Sequence, residues 1–118
     1  MSVKEIADEL IALCRAGKNR EAIARFYAED IVSTEPMGPS PVSKGLEAIG
    51  HKMDWFYSTM EVHGAEVNGP FINGDQFAVE FKYDVTEKAT NHRHIMHEIA
   101  LYTVRDGKIA EETFLYAS

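Results

Sequence analysis

Cysteine is nearly absent: Cys14 is the only one in 118 residues. An internal disulfide is therefore impossible, and the expected setting is the reducing cytoplasm. Basic residues are also few. Twelve Lys and Arg stand against nineteen Asp and Glu, a net charge of −7. That balance argues against nucleic acid and against an anionic membrane surface as partners. No apolar run approaches the ~20 residues that cross a bilayer. The opening Met1-Ser2-Val3-Lys4-Glu5 starts a helix pattern and lacks a signal-peptide core. There is no phosphate loop, no Gly-x-Ser-x-Gly elbow and no nucleotide fingerprint. What is present is an ordinary globular composition, read as one domain over residues 1–118. A chain of this size buries roughly two-thirds of its unfolded surface, enough for a core without staples.

The first half has helical spacing. Ser2 and Glu5 form a capping-box pattern, followed by Ile6, Leu10, Leu13 and Cys14 on one face, with Gly17 as a stop. Asn19 is expected to cap a second helix with an apolar face of Ala22, Ile23, Phe26 and Tyr27. Residues 31–34 read as a short extended piece. Pro36, Gly38, Pro39, Pro41 and Gly45 make 35–45 a loop. Ser43 is expected to cap a third helix carrying Leu46, Ile49, Met53 and Phe56.

The second half alternates instead. Phe77, Val79, Phe81, Tyr83 and Val85 are separated by Glu80, Lys82 and Asp84, the period of a half-buried strand. Asn73-Gly74 and Asp106-Gly107 suit type I′ turns, whose central residues need positive φ. Four strands follow, at 62–69, 75–86, 92–105 and 108–116, in an antiparallel meander. Helices segregated from such a sheet make the class α+β, with a ligand cleft between the two layers.

The element order and three stretches resemble the nuclear transport factor 2-like superfamily, near its SnoaL-like and ketosteroid isomerase-like members. The stretches are Phe26-Tyr27-Ala28-Glu29-Asp30-Ile31, Thr34-Glu35-Pro36-Met37-Gly38 with Gly45-Leu46-Glu47-Ala48-Ile49, and Val104-Arg105-Asp106-Gly107-Lys108-Ile109. The resemblance implies a cystatin-like α+β roll: a cone-shaped cup of three N-terminal helices packed on a curved antiparallel sheet. It also implies a homodimer through the outer sheet face and a small-molecule ligand. It does not imply one function, because members include isomerases, cyclases, hydrolases and pure binding proteins.

Glu35 falls where ketosteroid isomerase-like members carry their acidic base. A carboxylate against apolar walls holds its proton more tightly and suits proton transfer at carbon. Two departures follow. Leu10 stands where the isomerases place a Tyr donor, and Ala100 where they place a protonated acid. Losing one such donor typically costs ~10²-fold or more, so their known steroid chemistry is not expected. Lys82-Tyr83-Asp84 resembles the Arg-x-Asp pair of limonene-type epoxide hydrolases, but Phe114 replaces the last Asp. A charge pair on an exposed sheet face is the preferred reading.

Asn91-His92-Arg93-His94-Ile95-Met96-His97-Glu98 is the most unusual stretch. In a strand His92, His94 and Glu98 share one face, and a His-x-His pair can bind a transition metal. The cupin pattern it resembles needs a Gly where Thr86 stands, and a later Pro and His that the chain lacks. No metal and no cofactor are expected.

The expectation is a small-molecule-binding cup, with cofactor-independent acid–base chemistry on a carbonyl or polyketide-like compound. Glu35, His94 and Glu98 are the candidate catalytic residues. Tyr27, Met53, Phe56, Met96, Tyr102, Glu112 and Phe114 are the candidate ligand-binding residues. The alternatives are a non-catalytic binding or interaction domain and, third, a metal enzyme using His92, His94 and Glu98.

Overall fold

The computed structural model describes residues 1–36 and 41–116. Helix α1 runs Val3–Arg15 and starts at the expected capping box. The Glu5 N–H donates to Ser2 Oγ at 3.1 Å, and the Ser2 N–H donates back to Glu5 Oε1 at 3.0 Å. Its buried face is Ile6, Ala7, Leu10, Ile11 and Cys14. Gly17 leaves the helix with φ +75°, a conformation glycine adopts without steric strain.

Helix α2 spans Asn19–Phe26. Asn19 is not its cap: Lys18 occupies that position and makes no side-chain capping bond. The tight exit through Gly17 sets Asn19 already inside the helix, where its amide reaches the Tyr83 hydroxyl at 3.4 Å. Tyr27 likewise leaves the helix, because strand β1, Tyr27–Thr34, begins there. The expected loop at 35–45 is also interrupted, by a three-residue strand β2, Val42–Lys44. The part of that loop from 37 to 40 lies outside the described residues. Ser43 pairs with Ser33 inside β2 and does not cap α3, Leu46–Thr59. Gly45 takes that place with φ +89°, its N–H donating to the Ile31 carbonyl at 2.7 Å.

Strands β3 (Met60–Asn73), β4 (Gln76–Glu87), β5 (His92–Arg105) and β6 (Lys108–Tyr116) form the meander. The curved, unclosed sheet has the order β2-β1-β6-β5-β4-β3. All neighbours are antiparallel except β1 and β6, which run parallel. The fold is thus α+β, three helices on a mostly antiparallel sheet. Phe77, Val79, Phe81, Ala100, Tyr102 and Ile109 are buried on the inner face and form one core with Ile31 of β1 and with Ile6, Leu10 and Ile49 of the helices. Among the described residues no helix is long and apolar enough to cross a membrane.

Candidate functional site

Four elements converge on one polar cluster inside the cup. On β1, Ile31 and Ser33 share a parity that continues to Glu35, so all three lean the same way. The Glu35 N–H donates to the Pro41 carbonyl at 2.7 Å, which holds the chain just past the strand. On α3, Lys52 lies three residues after buried Ile49 and four before Phe56, on the same helical face. On β6, Glu112, Phe114 and Tyr116 alternate. They sit opposite Tyr102, Ala100 and Glu98 of β5. The parallel pairing of β1 with β6 sets Ser33 against Glu112.

The side chains form an unbroken hydrogen-bonded chain. The Tyr27 hydroxyl donates to Glu112 Oε2. Ser33 Oγ donates to Glu112 Oε1 at 2.8 Å, and Lys52 Nζ donates to Ser33 Oγ at 2.8 Å. Lys52 Nζ also lies 2.7 Å from Glu35 Oε1. The Tyr116 hydroxyl donates to Glu35 Oε2 at 3.0 Å. The ammonium stands 5.2 Å from the centre of the Phe114 ring, within cation–π range. The chain runs from buried groups to partly exposed ones. Ser33 and Glu112 are buried, whereas the Glu35 and Lys52 side chains keep 21% and 28% of their exposure.

Burial raises the pKa of Glu112, although Tyr27 and Ser33 donate to its charged form and pull the other way. Glu98 is pushed up to about 7, first by burial and then by Glu35 and Glu112, with Lys52 opposing. Among the described residues Glu98 makes no side-chain hydrogen bond or ion pair. It is therefore a carboxyl that holds its proton near neutral pH and has that proton free to offer. Tyr27 and Tyr102, buried around Glu112, are pushed well above the ordinary phenol range. Cys14 is buried and its thiol is raised to about 12, so it is a core residue without thiolate character.

The expected residues scatter around this cluster. Glu35, Glu98, Glu112, Tyr27 and Phe114 belong to it. Tyr102 stacks on Phe77 with ring centres 4.9 Å apart. Phe56 is tilted against Tyr83 at 6.2 Å, and Met96 lies opposite Tyr83 in the sheet. Met53 lines a groove of about 240 Å³ between α2 and α3, with Ile23 and Leu46. His94 bonds to neither Glu35 nor Glu98. Its Nδ1 is buried without a partner, and its ring stacks on exposed His92 at 5.1 Å. His97 faces the outer side, 2.8 Å from Glu80. No group of three or more metal-ligating side chains occurs among the described residues. Lys82 and Asp84 also face outward, Asp84 in a two-pronged pair with Arg93 at 2.8 and 3.0 Å. That is the surface charge pair expected for them.

Lys52 and Ser33 were not among the expected residues. Lys52 did carry a signal, a cation on the Ile49–Phe56 face of an otherwise amphipathic helix. Ser33 shares its parity with Ile31 and Glu35, and Tyr116 with Glu112 and Phe114.

The chain matches the SnoaL-like domain family over residues 1–116. Comparison with curated proteins gives no match. Among solved structures, a Mesorhizobium loti protein, provisionally described as a SnoaL-like polyketide cyclase with "carbohydrate phosphatase" in brackets, is 50% identical. The match covers 98% of this chain and 100% of that one, with a TM-score of 0.95. A Xanthomonas campestris protein of unknown function with a cystatin-like fold is 17% identical, covering 100% and 92%, with a TM-score of 0.81. A Catenulispora acidiphila protein with a ketosteroid isomerase-like fold, in complex with trimethylamine, is 21% identical, covering 95% and 85% at a TM-score of 0.74. These last two show the fold alone.

Proposed function

The chain belongs to the SnoaL-like domain family, and from that premise we propose that its cup binds a small carbonyl compound of polyketide-like character and moves protons on it. Residues 1–118 act as one domain in the cytoplasm, as a homodimer joined through the outer sheet face. No cofactor takes part. Phe56, Met96, Tyr102 and Phe114 supply apolar walls, and Glu35, Glu98 and Glu112 the acid–base groups. The observation that carries the reading is Glu98, raised to about 7 and without a side-chain hydrogen bond or ion pair among the described residues. A neutral carboxyl there can donate to a carbonyl oxygen, while Glu35 accepts a proton from the carbon beside it. Glu98 thus takes over, two residues earlier on β5, the donor role that Ala100 cannot fill. The 50% identity to the Mesorhizobium loti protein makes a cyclase-type condensation the first reaction to test.

A second reading is binding without chemistry. It is favoured by one observation: Glu35 is already paired with Lys52 and Tyr116, which competes with its work as a base. The two readings separate in one experiment. The protein is screened against β-keto esters and aromatic polyketide mimics by native mass spectrometry, and binders are followed for turnover. The catalytic reading expects turnover that falls about 10²-fold or more in Glu98→Gln and Glu35→Gln with binding retained. Binders that are never converted establish the second reading, and no binder at all ends both.

A further inference from the structure

Three hydroxyls of the cup are already engaged. Tyr27 and Ser33 donate to Glu112, and Tyr116 donates to Glu35. Tyr83 differs. The alternation that turns Lys82 and Asp84 outward turns Tyr83 inward, where it packs against the core. Its ring stacks on Phe81 with centres 5.6 Å apart and is tilted against Phe56. Its oxygen accepts from the Asn19 amide at 3.4 Å, and no acceptor for its own proton occurs among the described residues. A phenol both accepts and donates, so this one is held in place with its donor unspent. Phe81 is opposite Glu98 in the sheet and Tyr83 is opposite Met96. Tyr83 and Glu98 are therefore diagonal neighbours on the inner face, a spacing that long side chains bridge. Burial, and after it Glu98, pushes the phenol above its ordinary range. Tyr102 shares the face but lies four residues from Glu98 along β5, buried opposite Glu112. Two O–H donors, Tyr83 and Glu98, thus sit on one patch of the inner wall, and no hydrogen bond joins them.

We propose that Tyr83 is a further catalytic residue of the cup, which with Glu98 forms a pair of O–H donors receiving the carbonyl oxygen of an enolisable ketone or aldehyde. The proposal rests on the reading of the cup as a carbonyl site. Glu35 removes a proton from the carbon beside the carbonyl. The C–H pair becomes the C=C bond, and the C=O π pair moves to oxygen. That oxygen takes the proton of Glu98 and keeps the hydrogen bond from Tyr83. The sum is ketone to enol, with one proton given by Glu98 and one accepted by Glu35, and no change of oxidation state. Reversal, with Glu35 returning its proton to carbon, restores both carboxyls. Donors already in place where charge develops stabilise it most, because nothing has to reorganise as the reaction proceeds.

The test uses acetophenone with a carbon-13 carbonyl. Its C=O stretch, read by isotope-edited infrared spectroscopy, falls with each hydrogen bond the oxygen accepts. Its methyl protons exchange with deuterium whenever it enolises. Glu98 loses its proton as pH rises through about 7, among Glu35 past β1, Lys52 on α3, Glu112 and Tyr116 on β6, and Tyr83 on β4. Tyr83 keeps its proton over the same range. The bound stretch is therefore expected to be lowest at about pH 5, with two donors, and higher at about pH 9, with one. Tyr83→Phe retains the stacked ring and should raise the stretch at both. Methyl exchange should fall about 10²-fold in Tyr83→Phe, while the Kd for acetophenone changes by less than about tenfold. A stretch that Tyr83→Phe leaves unchanged, with the ketone in the cup, overturns the proposal and leaves the carbonyl reading standing. If the variant does not fold, the wild-type protein decides: a stretch at about pH 9 equal to that in hexane means no second donor, and overturns it equally. Occupancy of the cup is read separately, from the Met96 methyl resonance. Acetophenone that never moves that resonance ends the proposal, and if no other carbonyl compound moves it, the reading of the cup is lost as well.

Discussion

Glu98 is where local chemistry and stability meet. Its carboxyl titrates near 4.5 when free and near 7 in the folded protein. Between those values the folded state holds a proton that the unfolded state has released. Stability from this group is therefore greatest below about pH 4.5 and falls as pH rises through 7. The difference corresponds to about 3 kcal/mol above pH 7. Glu112 pushes in the same direction, since burial raises it too. Glu98→Gln is accordingly expected to stabilise the protein at pH 8 by about 1–3 kcal/mol and to bring no gain at pH 4. Urea melts of both proteins across that range would show it, and parallel stability curves would sink the idea. An acid that weakens the fold at neutral pH fits a group kept for a ligand, because strain at functional sites is offset elsewhere in the structure.

At the scale of elements, the joint between α1 and β3 is the most constrained. The pairing of β3 with β4 slips between Asn68 and Phe71, just past Val67, which is itself in register with Phe81. Arg15, in the last turn of α1, donates to the Val67 carbonyl through Nε and Nη2 at 3.0 and 2.8 Å. The bulge itself needs Gly69, whose φ is +134°. A Cβ there would stand 3.1 Å from the Ala78 carbonyl oxygen, so both backbone and neighbour resist a side chain. Gly69→Ala is expected to destabilise by about 1–3 kcal/mol, a fall in Tm of roughly 5–15 °C for a domain this size. Gly64 in the same strand has open space where a Cβ would go. Gly64→Ala should change Tm by no more than a degree or two, about the scale of an ordinary surface substitution. Equal melting of the two variants would contradict this account of the bulge.

The same scale explains how much was legible beforehand. The four meander strands could be read because apolar and polar residues alternate along them and Gly-containing turns separate them. Strand β2 could not, because three residues with exposed ends have no pattern of their own and owe their conformation to pairing with β1. The start of β1 was hidden for a similar reason. Tyr27 continues the helical spacing of Ala22, Ile23 and Phe26, yet its pairing with Ile109 draws it into the sheet.

For the whole molecule, the open question of the sheet's outer face has a physical form. Ile95 and Leu115 are 59% and 52% exposed there, and Ile99 and Leu101 lie half-buried between them. Ile99 is opposite Leu115 in the register, so the apolar residues join across β5 and β6. Around them the charges are already paired, Asp84 with Arg93 and Glu80 with His97. A face of this kind loses little on association, because apolar area is removed from water and few bare charges are stranded. Sedimentation equilibrium is expected to give a dimer. Ile95→Glu with Leu115→Glu should convert it to a monomer that retains its far-ultraviolet spectrum. A wild-type monomer at 100 μM would end the dimer proposal.

The sequence by itself determined the α+β class, the order of the helices and meander strands and the acidic balance, because each depends on local spacing or simple counts, whereas which face of each strand turns inward waited on the register. It also placed Glu35, Glu98 and Glu112 on candidate faces. Only the tertiary structure decided that Lys52 and Ser33 join them. Ser33 and Glu112 are 79 positions apart and meet through the parallel pairing of β1 and β6. Helical spacing can place a lysine on a face, but it cannot say which side chains that face will meet. The −7 charge changes meaning for the same reason. Part of it is folded into the cup, where Glu98 holds its proton near neutral pH and Glu35 is matched by Lys52. Which carboxyls keep their charge is set by burial and by neighbours distant in sequence, and those exist only once the chain has folded.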